Sequence, residues 1–459
     1  MCGIFGVYGS KDAALLTHLG LYALQHRGEE SAGIIAYDSK KIRQCQGMGL
    51  VNDLFDQKSL KSLRGNVALG HVRYSTTGSS SIENIQPFLA KHKGGHIAIA
   101  HNGNLTNALK LRREMEKEGS IFQTTMDSEI IVHLLARSSG RDCKKTTLLA
   151  TLQRLEGAYS LVMMVDGMLI GARDPYGFRP LCIGRLGQAY VLASETCALD
   201  LIHAKYIRDI EPGEIVFIDK DGLRRANLPK KDKRAFCIFE HIYFARPDSS
   251  VFEKNVYMIR KQLGRQLAKE APADCDIVMP IPDSGNSAAL GFAEESKIPF
   301  EVGMIRNHYV GRTFIQPSQH IRDFKVKVKL NPIREVLKGK RVLIVEDSIV
   351  RGTTSRSRVK TLREAGAKEI HMRVSCPPII SPCYYGIDFP TTKELIAPKK
   401  TIRQIRDFIG LNSLKYLSLD GMLKAIGSPK REFCTACFSG VYPTKPPKRL
   451  SKDILEKEN

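Results

Sequence analysis

The sequence contains no tryptophan and few aromatic residues of any kind. No long basic stripe with interleaved aromatics stands out, so neither a nucleic acid nor a membrane is expected as a partner. No apolar run approaches the roughly 20 residues that cross a bilayer, and the N-terminus lacks the basic-then-apolar pattern of a secretory signal. The chain therefore reads as soluble and cytoplasmic. Without a secretory signal, eleven scattered cysteines, an odd number, do not make a disulfide framework. Internal repeats and long low-complexity segments are also missing. Acidic residues are in deficit, 48 against 70 lysines and arginines, leaving a formal charge of +22. Taken alone, that charge would suit a polyanionic ligand, whether nucleic acid, a phosphorylated metabolite or a membrane surface, and it equally fits general enrichment in Lys and Arg.

What is present divides into two halves. A chain of 459 residues exceeds one ordinary core. The first ~235 residues mix short apolar strands, such as 96–100 and 158–165, with helical patterns at 13–24 and 127–136, which is α+β character. The polar, basic run Pro229-Lys230-Lys231-Asp232-Lys233-Arg234 reads as a boundary. Beyond it, strands expected at 276–281, 341–345 and 370–374, with a helix at about 355–365, predict a parallel α/β sheet. The expected division is residues 1–235, residues 236–425, and a C-terminal tail of residues 426–459.

The first half carries an amide-cleaving set. In Met1-Cys2-Gly3-Ile4-Phe5-Gly6, loss of Met1 leaves a cysteine with a free α-amine. A free amine ordinarily titrates near ~8 and a thiol near ~8.5, so one residue supplies both nucleophile and base. With no further segment ahead of Cys2, removal of Met1 is the expected activation. Four segments follow: Gln25-His26-Arg27-Gly28, His71-Val72-Arg73-Tyr74-Ser75-Thr76-Thr77-Gly78, His101-Asn102-Gly103-Asn104-Leu105 and Asp127-Ser128-Glu129. Asn102 offers a side-chain N–H and Gly103 an unhindered backbone N–H for an oxyanion, with a strand ending in Asn-Gly placing both at a turn. Arg73 suits a carboxylate and Asp127 an ammonium. Singly each has a plainer use: Arg73 as a surface ion pair, Asp127 as a helix cap, Asn102-Gly103 as a hairpin turn. His26, His71 and His101 are taken as structural.

Together the set resembles the glutamine amidotransferase domain of the N-terminal-nucleophile (Ntn) hydrolases. The resemblance implies an αββα sandwich in which Cys2 attacks the glutamine side-chain amide. Asn102 and Gly103 would form the oxyanion hole, Arg73 and Asp127 would hold the substrate's charged ends, and Arg27 and Gly28 would line its pocket. Glu29 stands where a Gln is common in that family.

The second half carries Val345-Glu346-Asp347-Ser348-Ile349-Val350-Arg351-Gly352-Thr353-Thr354, after a buried strand and opening a helix. Adjacent acids at a strand end can accept from two ribose hydroxyls, and a Gly/Thr loop at a helix N-terminus suits a phosphate. The string resembles the signature of type I phosphoribosyltransferases, with Glu346 in place of a first Asp. Asp283, Ser284 and Gly285, after another strand, would cradle diphosphate. Arg306-Asn307-His308-Tyr309 replaces a usual Lys-Asn-Arg-Tyr, and the basic stretch 322–340 reads as a lid. A diphosphate donor implies Mg²⁺, one per subunit, held through Ser284, Glu346 and Asp347.

Cys434-Thr435-Ala436-Cys437 is a CxxC, and Cys237 and Cys383 sit in distinctive strings, Phe236-Cys237-Ile238-Phe239-Glu240 and Ser381-Pro382-Cys383-Tyr384-Tyr385-Gly386. By spacing alone four thiolates leave zinc and an iron–sulfur cluster both open. The two halves in this order resemble the amidophosphoribosyltransferase family. Its iron–sulfur branch implies one [4Fe–4S] cluster per subunit on Cys237, Cys383, Cys434 and Cys437. Further implications are glutamine and phosphoribosyl diphosphate as substrates, a loop around Tyr74 that closes over glutamine, and internal passage of ammonia. The family also implies feedback by purine nucleotides and a homo-oligomer, either a tetramer or a dimer. Two competing readings are an amidotransferase acting on another acceptor, disfavoured by residues 346–354, and a non-catalytic regulator that binds phosphoribosyl diphosphate, for which the Cys2 set would have no purpose.

Overall fold

Alternation of apolar residues along the first-half strands decides the architecture. In the computed structural model, residues 1–74, 78–92, 95–137, 144–307, 330–389, 391–427, 432–447 and 455–456 are described. Among them the first half forms β1 (Gly3–Tyr8), β2 (Ser31–Tyr37), β3 (Ile42–Met48), β4 (Val67–Arg73), β5 (Phe88–His92), β6 (Gly95–Leu105), β7 (Gly157–Val165), β8 (Met168–Arg173), β9 (Cys182–Leu186), β10 (Ala189–Ala193), β11 (Lys205–Asp209), β12 (Glu214–Asp219) and β13 (Gly222–Asn227). One sheet runs β11-β9-β10-β1-β4-β2-β3, the other β13-β12-β8-β7-β6-β5.

Successive side chains of a strand leave on opposite faces, and this makes three apolar layers. Ile4 of β1 and Val162 and Met164 of β7 meet between the sheets. Phe5 and Val7 face the helices Ala13–Ala23 and Thr196–Leu201. Leu161 and Met163 face the helices Ala108–Lys117 and Ser128–Arg137. The result is the αββα sandwich expected from the resemblance.

After the exposed basic run at 230–234, the chain enters a four-stranded parallel sheet ordered Ile277–Pro280, Arg341–Glu346, Glu369–Val374, Ser413–Tyr416. The helices Val256–Glu270, Asn286–Ser296 and Thr353–Glu364 pack on it. The helix expected at about 355–365 begins two residues earlier, because Gly352 (φ 75°) turns the chain directly into its first turn. Of the supposed lid, residues 330–340 form a strand, Leu330–Pro332, paired with Met304–Arg306, and one helical turn, Arg334–Leu337. That part is anchored, and the remainder, with His308, lies outside the described residues. The two-residue strands Phe236–Cys237 and Phe433–Cys434 pair in parallel, tying the C-terminal region to the start of the second half.

Candidate active site

Cys2 precedes β1, in the centre of its sheet, and is 8% exposed. Its Sγ donates to the Tyr74 carbonyl at 3.6 Å, and its N–H donates to Asn102 Oδ1 at 3.3 Å. Asn102 Nδ2 is buried beside it without a hydrogen-bond partner. A buried amide N–H left unpaired costs about 1–3 kcal/mol, and this one is a donor open to an acceptor beside Cys2. The expected turn at Asn102-Gly103 is not formed. β6 continues through both residues to Leu105, with Asn102 opposite Ser160 and Gly103 opposite Tyr159. Ladder pairing to β7 overrides the local turn preference. A Cβ at Gly103 (φ 154°) would lie 2.0 Å from the Ala158 carbonyl oxygen, so only glycine fits.

Ahead of Cys2, Met1 is buried, its Sδ accepting from Arg179 Nη1 at 2.7 Å, and burial lowers its amine to about 5. Arg27 is 1% exposed and does not open onto a pocket. Its Nε donates to the Cys2 carbonyl at 2.9 Å, while its two terminal nitrogens pair with Glu195 and Glu240. Burial alone would lower the guanidinium, but Glu240 and Glu195 outweigh it and hold Arg27 above its usual value. Gly28 lets the backbone pass Arg73, whose carbonyl carbon a Cβ would approach to 2.5 Å.

Arg73 ends β4, with Nη1 donating to the Ser79 carbonyl at 2.8 Å. Asp127 receives the Leu105 N–H at 2.8 Å and faces His101 Nδ1 at 3.3 Å. Burial works against both charges, yet their attraction prevails, raising His101 and lowering Asp127 from their usual values. Sequence reasoning passed over His101, although its place beside Asn102 was a usable signal. It also missed Glu195 and Glu240, for which no spacing pointed the way.

The second constellation gathers at the carboxyl ends of two neighbouring parallel strands. Asp347 accepts from the hydroxyls of Ser284 and Ser348. Asp283 pairs with Arg306, and Arg351 with Glu394. Gly285 passes so close to the next strand that a Cβ would meet the Val345 carbonyl oxygen at 2.5 Å. Ile349 is buried, Val350 accepts the Ile396 N–H at 2.9 Å, and Gly352 caps the helix that Thr353 and Thr354 begin. Glu346 is 3% exposed, and its Oε2 accepts from Arg358 Nη1 at 2.9 Å. Burial, then the neighbouring Asp347, pushes it up to about 8 against the pull of Arg358. Oxygen donors at Ser284 and Asp347 suit a hard cation, whereas the guanidinium already on Glu346 makes that carboxylate a poorer ligand.

The four expected cysteines come together at the junction of the halves. Cys237 and Cys434 face each other in the short parallel ladder. Cys437 follows on one helical turn, and its carbonyl accepts the N–H groups of Ile380 and Ser381 beside Cys383. Burial pushes the Cys237 thiol up to about 11, with the Cys383 thiol adding to the rise, and burial and the other thiols raise Cys434 and Cys437. Among the described residues no group of three or more His, Cys, Asp or Glu side chains is placed to hold a metal ion. Thiolate donors of this kind suit zinc or an iron–sulfur cluster. The loop after Cys383 then reaches the first constellation: Asn104 Nδ2 donates to the Tyr384 carbonyl at 3.0 Å, and Arg179 Nε to that of Tyr385 at 2.9 Å.

Comparison with known proteins agrees with this geometry. A family model described as a glutamine amidotransferase domain matches residues 71–201. The chain is 52% identical over 447 residues to amidophosphoribosyltransferase 2, chloroplastic, of Arabidopsis thaliana, covering 97% of this chain and 80% of that protein. It is 48% identical over 449 residues to the amidophosphoribosyltransferase of Bacillus subtilis (strain 168), covering 97% and 94%. A solved structure of glutamine phosphoribosylpyrophosphate amidotransferase from B. subtilis complexed with ADP and GMP superposes with a TM-score of 0.92 at 46% identity, covering 98% of this chain and 99% of that one. No helix among the described residues is long and apolar enough to cross a membrane.

Proposed function

As the chain belongs to the amidophosphoribosyltransferase family, we propose how its residues divide the work of that reaction. The chain catalyses the first step of purine biosynthesis: glutamine, water and phosphoribosyl diphosphate give phosphoribosylamine, glutamate and diphosphate. Cys2 Sγ attacks the glutamine amide carbon, the freed Cys2 amine carries the thiol proton to the departing ammonia, and water hydrolyses the glutamyl thioester. Asn102 Nδ2 and the Gly103 N–H receive the oxyanion. Arg73 holds the glutamine carboxylate, and Asp127, oriented by His101, its ammonium. Arg27 fixes the Cys2 carbonyl and thereby the nucleophile, a positioning role more than a lining one.

Ammonia then passes within the protein to the second site and displaces diphosphate from the ribose. Asp347, set by two serine hydroxyls, accepts from the ribose, and residues 348–354 take the 5-phosphate on the helix N-terminus. Asp283, Ser284 and Gly285 border the diphosphate. Mg²⁺ on Ser284 and Asp347 would neutralise the diphosphate charge, with Glu346 joining only by giving up Arg358. A [4Fe–4S] cluster on Cys237, Cys383, Cys434 and Cys437 would serve structurally by pinning the C-terminal region to both halves. Purine nucleotides as feedback inhibitors, and assembly into a dimer or tetramer, belong to the same reading. The solved B. subtilis relative is described with ADP and GMP.

The unpaired Asn102 Nδ2 beside Cys2 carries the glutaminase assignment. Cys2→Ala should abolish glutamine-dependent activity and retain the ammonia-dependent reaction. Persistent use of glutamine would show that the nucleophile lies elsewhere. For the cluster, protein purified without oxygen should contain about four irons and four sulfides per chain. Stoichiometric zinc without iron would rule the cluster out.

A further inference from the structure

The C-terminal segment of the sequence returns to the glutamine site. Leu455 is 2% exposed and packs into the apolar layer that β6, β7 and β8 share with the helices Ala108–Lys117 and Ser128–Arg137. Burial of that side chain away from water holds the short segment in place. The next residue, Glu456, places Oε1 against the Ser79 backbone N–H and within 3.3 Å of Thr125 Oγ1.

Ser79 is a hydrogen-bond partner of Arg73, and Thr125 is joined to it through Asn84 to make one rim. Arg73 Nη1 donates to the Ser79 carbonyl at 2.8 Å, and Nη2 to that of Gly78 at 3.4 Å. Asn84 ties the rim together: its Nδ2 donates to the Ser79 carbonyl at 3.1 Å and to Thr125 Oγ1 at 2.8 Å, while its Oδ1 accepts the Thr125 N–H at 3.0 Å. Gly78 (φ 79°) makes the tight turn that brings Ser79 back to Thr125, where a Cβ would meet Thr125 Oγ1 at 2.8 Å. The Glu456 carboxylate, with Glu30 and Asp127, is among the acidic groups whose field acts on Arg73. A backbone N–H, a hydroxyl and a nearby guanidinium are a carboxylate-recognition set, and the chain has placed a carboxylate of its own on it.

We propose that Glu456, anchored by Leu455, is an internal competitor of glutamine: its carboxylate occupies the corner that receives the substrate α-carboxylate. The inference rests on the assignment of Arg73 to that carboxylate. A tail docked for about nine-tenths of the time raises the apparent KM for glutamine about tenfold, and undocking it removes that factor. The tail therefore sets glutamine use according to its own docking, and a partner that seizes it would release the site.

The test compares KM for glutamine in the full chain and in Glu456→Ala and Leu455→Asp variants, with ammonia-dependent activity measured alongside. KM should fall about three- to tenfold in both, with kcat and the ammonia reaction unchanged. In a chain truncated after Pro447, a synthetic peptide of residues 448–459 should raise KM again, competitively with glutamine. An unchanged KM in Glu456→Ala overturns the proposal, and a raised KM overturns it in favour of a tail that braces the site. Should Leu455→Asp fail to fold, Glu456→Ala alone decides. Residual glutamine use by Cys2→Ala would instead bring down the underlying glutaminase assignment, so the two failures are distinct.

Discussion

Asn102 serves two purposes with one amide, its Oδ1 accepting from Cys2 and its Nδ2 held unpaired in a buried place. Replacing it by alanine should lower glutamine-dependent kcat by about 10²–10³ with little change in the ammonia reaction. Equal loss of both activities would mean a folding defect and not an oxyanion donor. Arg27, which the family resemblance placed beside the glutamine pocket, binds the Cys2 carbonyl through Nε, while two buried carboxylates from distant segments, Glu195 and Glu240, take its terminal nitrogens. Removing Arg27 leaves Glu195 with His26 and Ser249 and Glu240 with Arg179 at 3.6 Å, so Arg27→Ala weakens two buried pairs and lowers stability as well as acting on Cys2. Glu346 differs from an aspartate in the same place by one methylene, and that length carries its carboxylate to Arg358, twelve residues on. The departure was visible in the sequence; its partner was not.

At the level of elements, the oxyanion strand is gripped from both sides. β7 pairs with it through Leu105, and the loop following Cys383 lies across its other edge. A Cβ on Gly386 (φ 102°) would stand 3.0 Å from the Gly103 carbonyl oxygen. Gly386→Ala should therefore push on the residue that supplies the oxyanion N–H, adding backbone strain on the order of 1–3 kcal/mol. The expected outcome is a larger loss of glutamine-dependent than of ammonia-dependent turnover, read as the ratio of the two. A ratio unchanged from the parent would show that the loop does not bear on Gly103. The same loop begins at a proposed cluster ligand, so folding of the cysteine site and alignment of the glutaminase strand are mechanically joined. The strands and helices themselves were largely readable from periodicity, as with 158–165 and 341–345, because their apolar faces repeat at the element's own period. The continuation of β6 past Asn102 was not, since Asn-Gly favours a turn in isolation and only pairing with β7 overrules it.

For the molecule as a whole, two histidines sealed in the interior favour unfolding in acid, while Glu346, raised to about 8, works in the opposite sense. Burial lowers His71 and His241 to about 3, well below the usual value near 6.5. The unfolded chain takes up these protons as pH falls below ~6.5 while the folded chain refuses them, so stability declines with acid at about 1.4 kcal/mol per pH unit for each residue. Their share is read by difference: His241→Gln should lessen the loss of thermal stability between pH 7 and pH 5 relative to the parent, and an unchanged slope would show that this ring is protonated in the fold. On the proposed role of Cys2, whatever precedes it must be removed, since its nitrogen is otherwise an amide and no base. The glutamine-dependent rate should thus track the fraction of molecules that begin at Cys2, as read by N-terminal mass analysis. By itself the sequence determined the α+β character of the first half and the parallel α/β sheet of the second, because periodicity is local and survives in one dimension, while the αββα layering and the proposed roles of Cys2, residues 346–354 and the four cysteines came with the family resemblance. Only the tertiary structure decided which charges neutralise which. Arg27 meets Glu195 and Glu240 across roughly 170 and 210 residues, and Glu456 meets Ser79 across 377. Electrostatic partners are chosen by distance in space, which no spacing along the chain encodes.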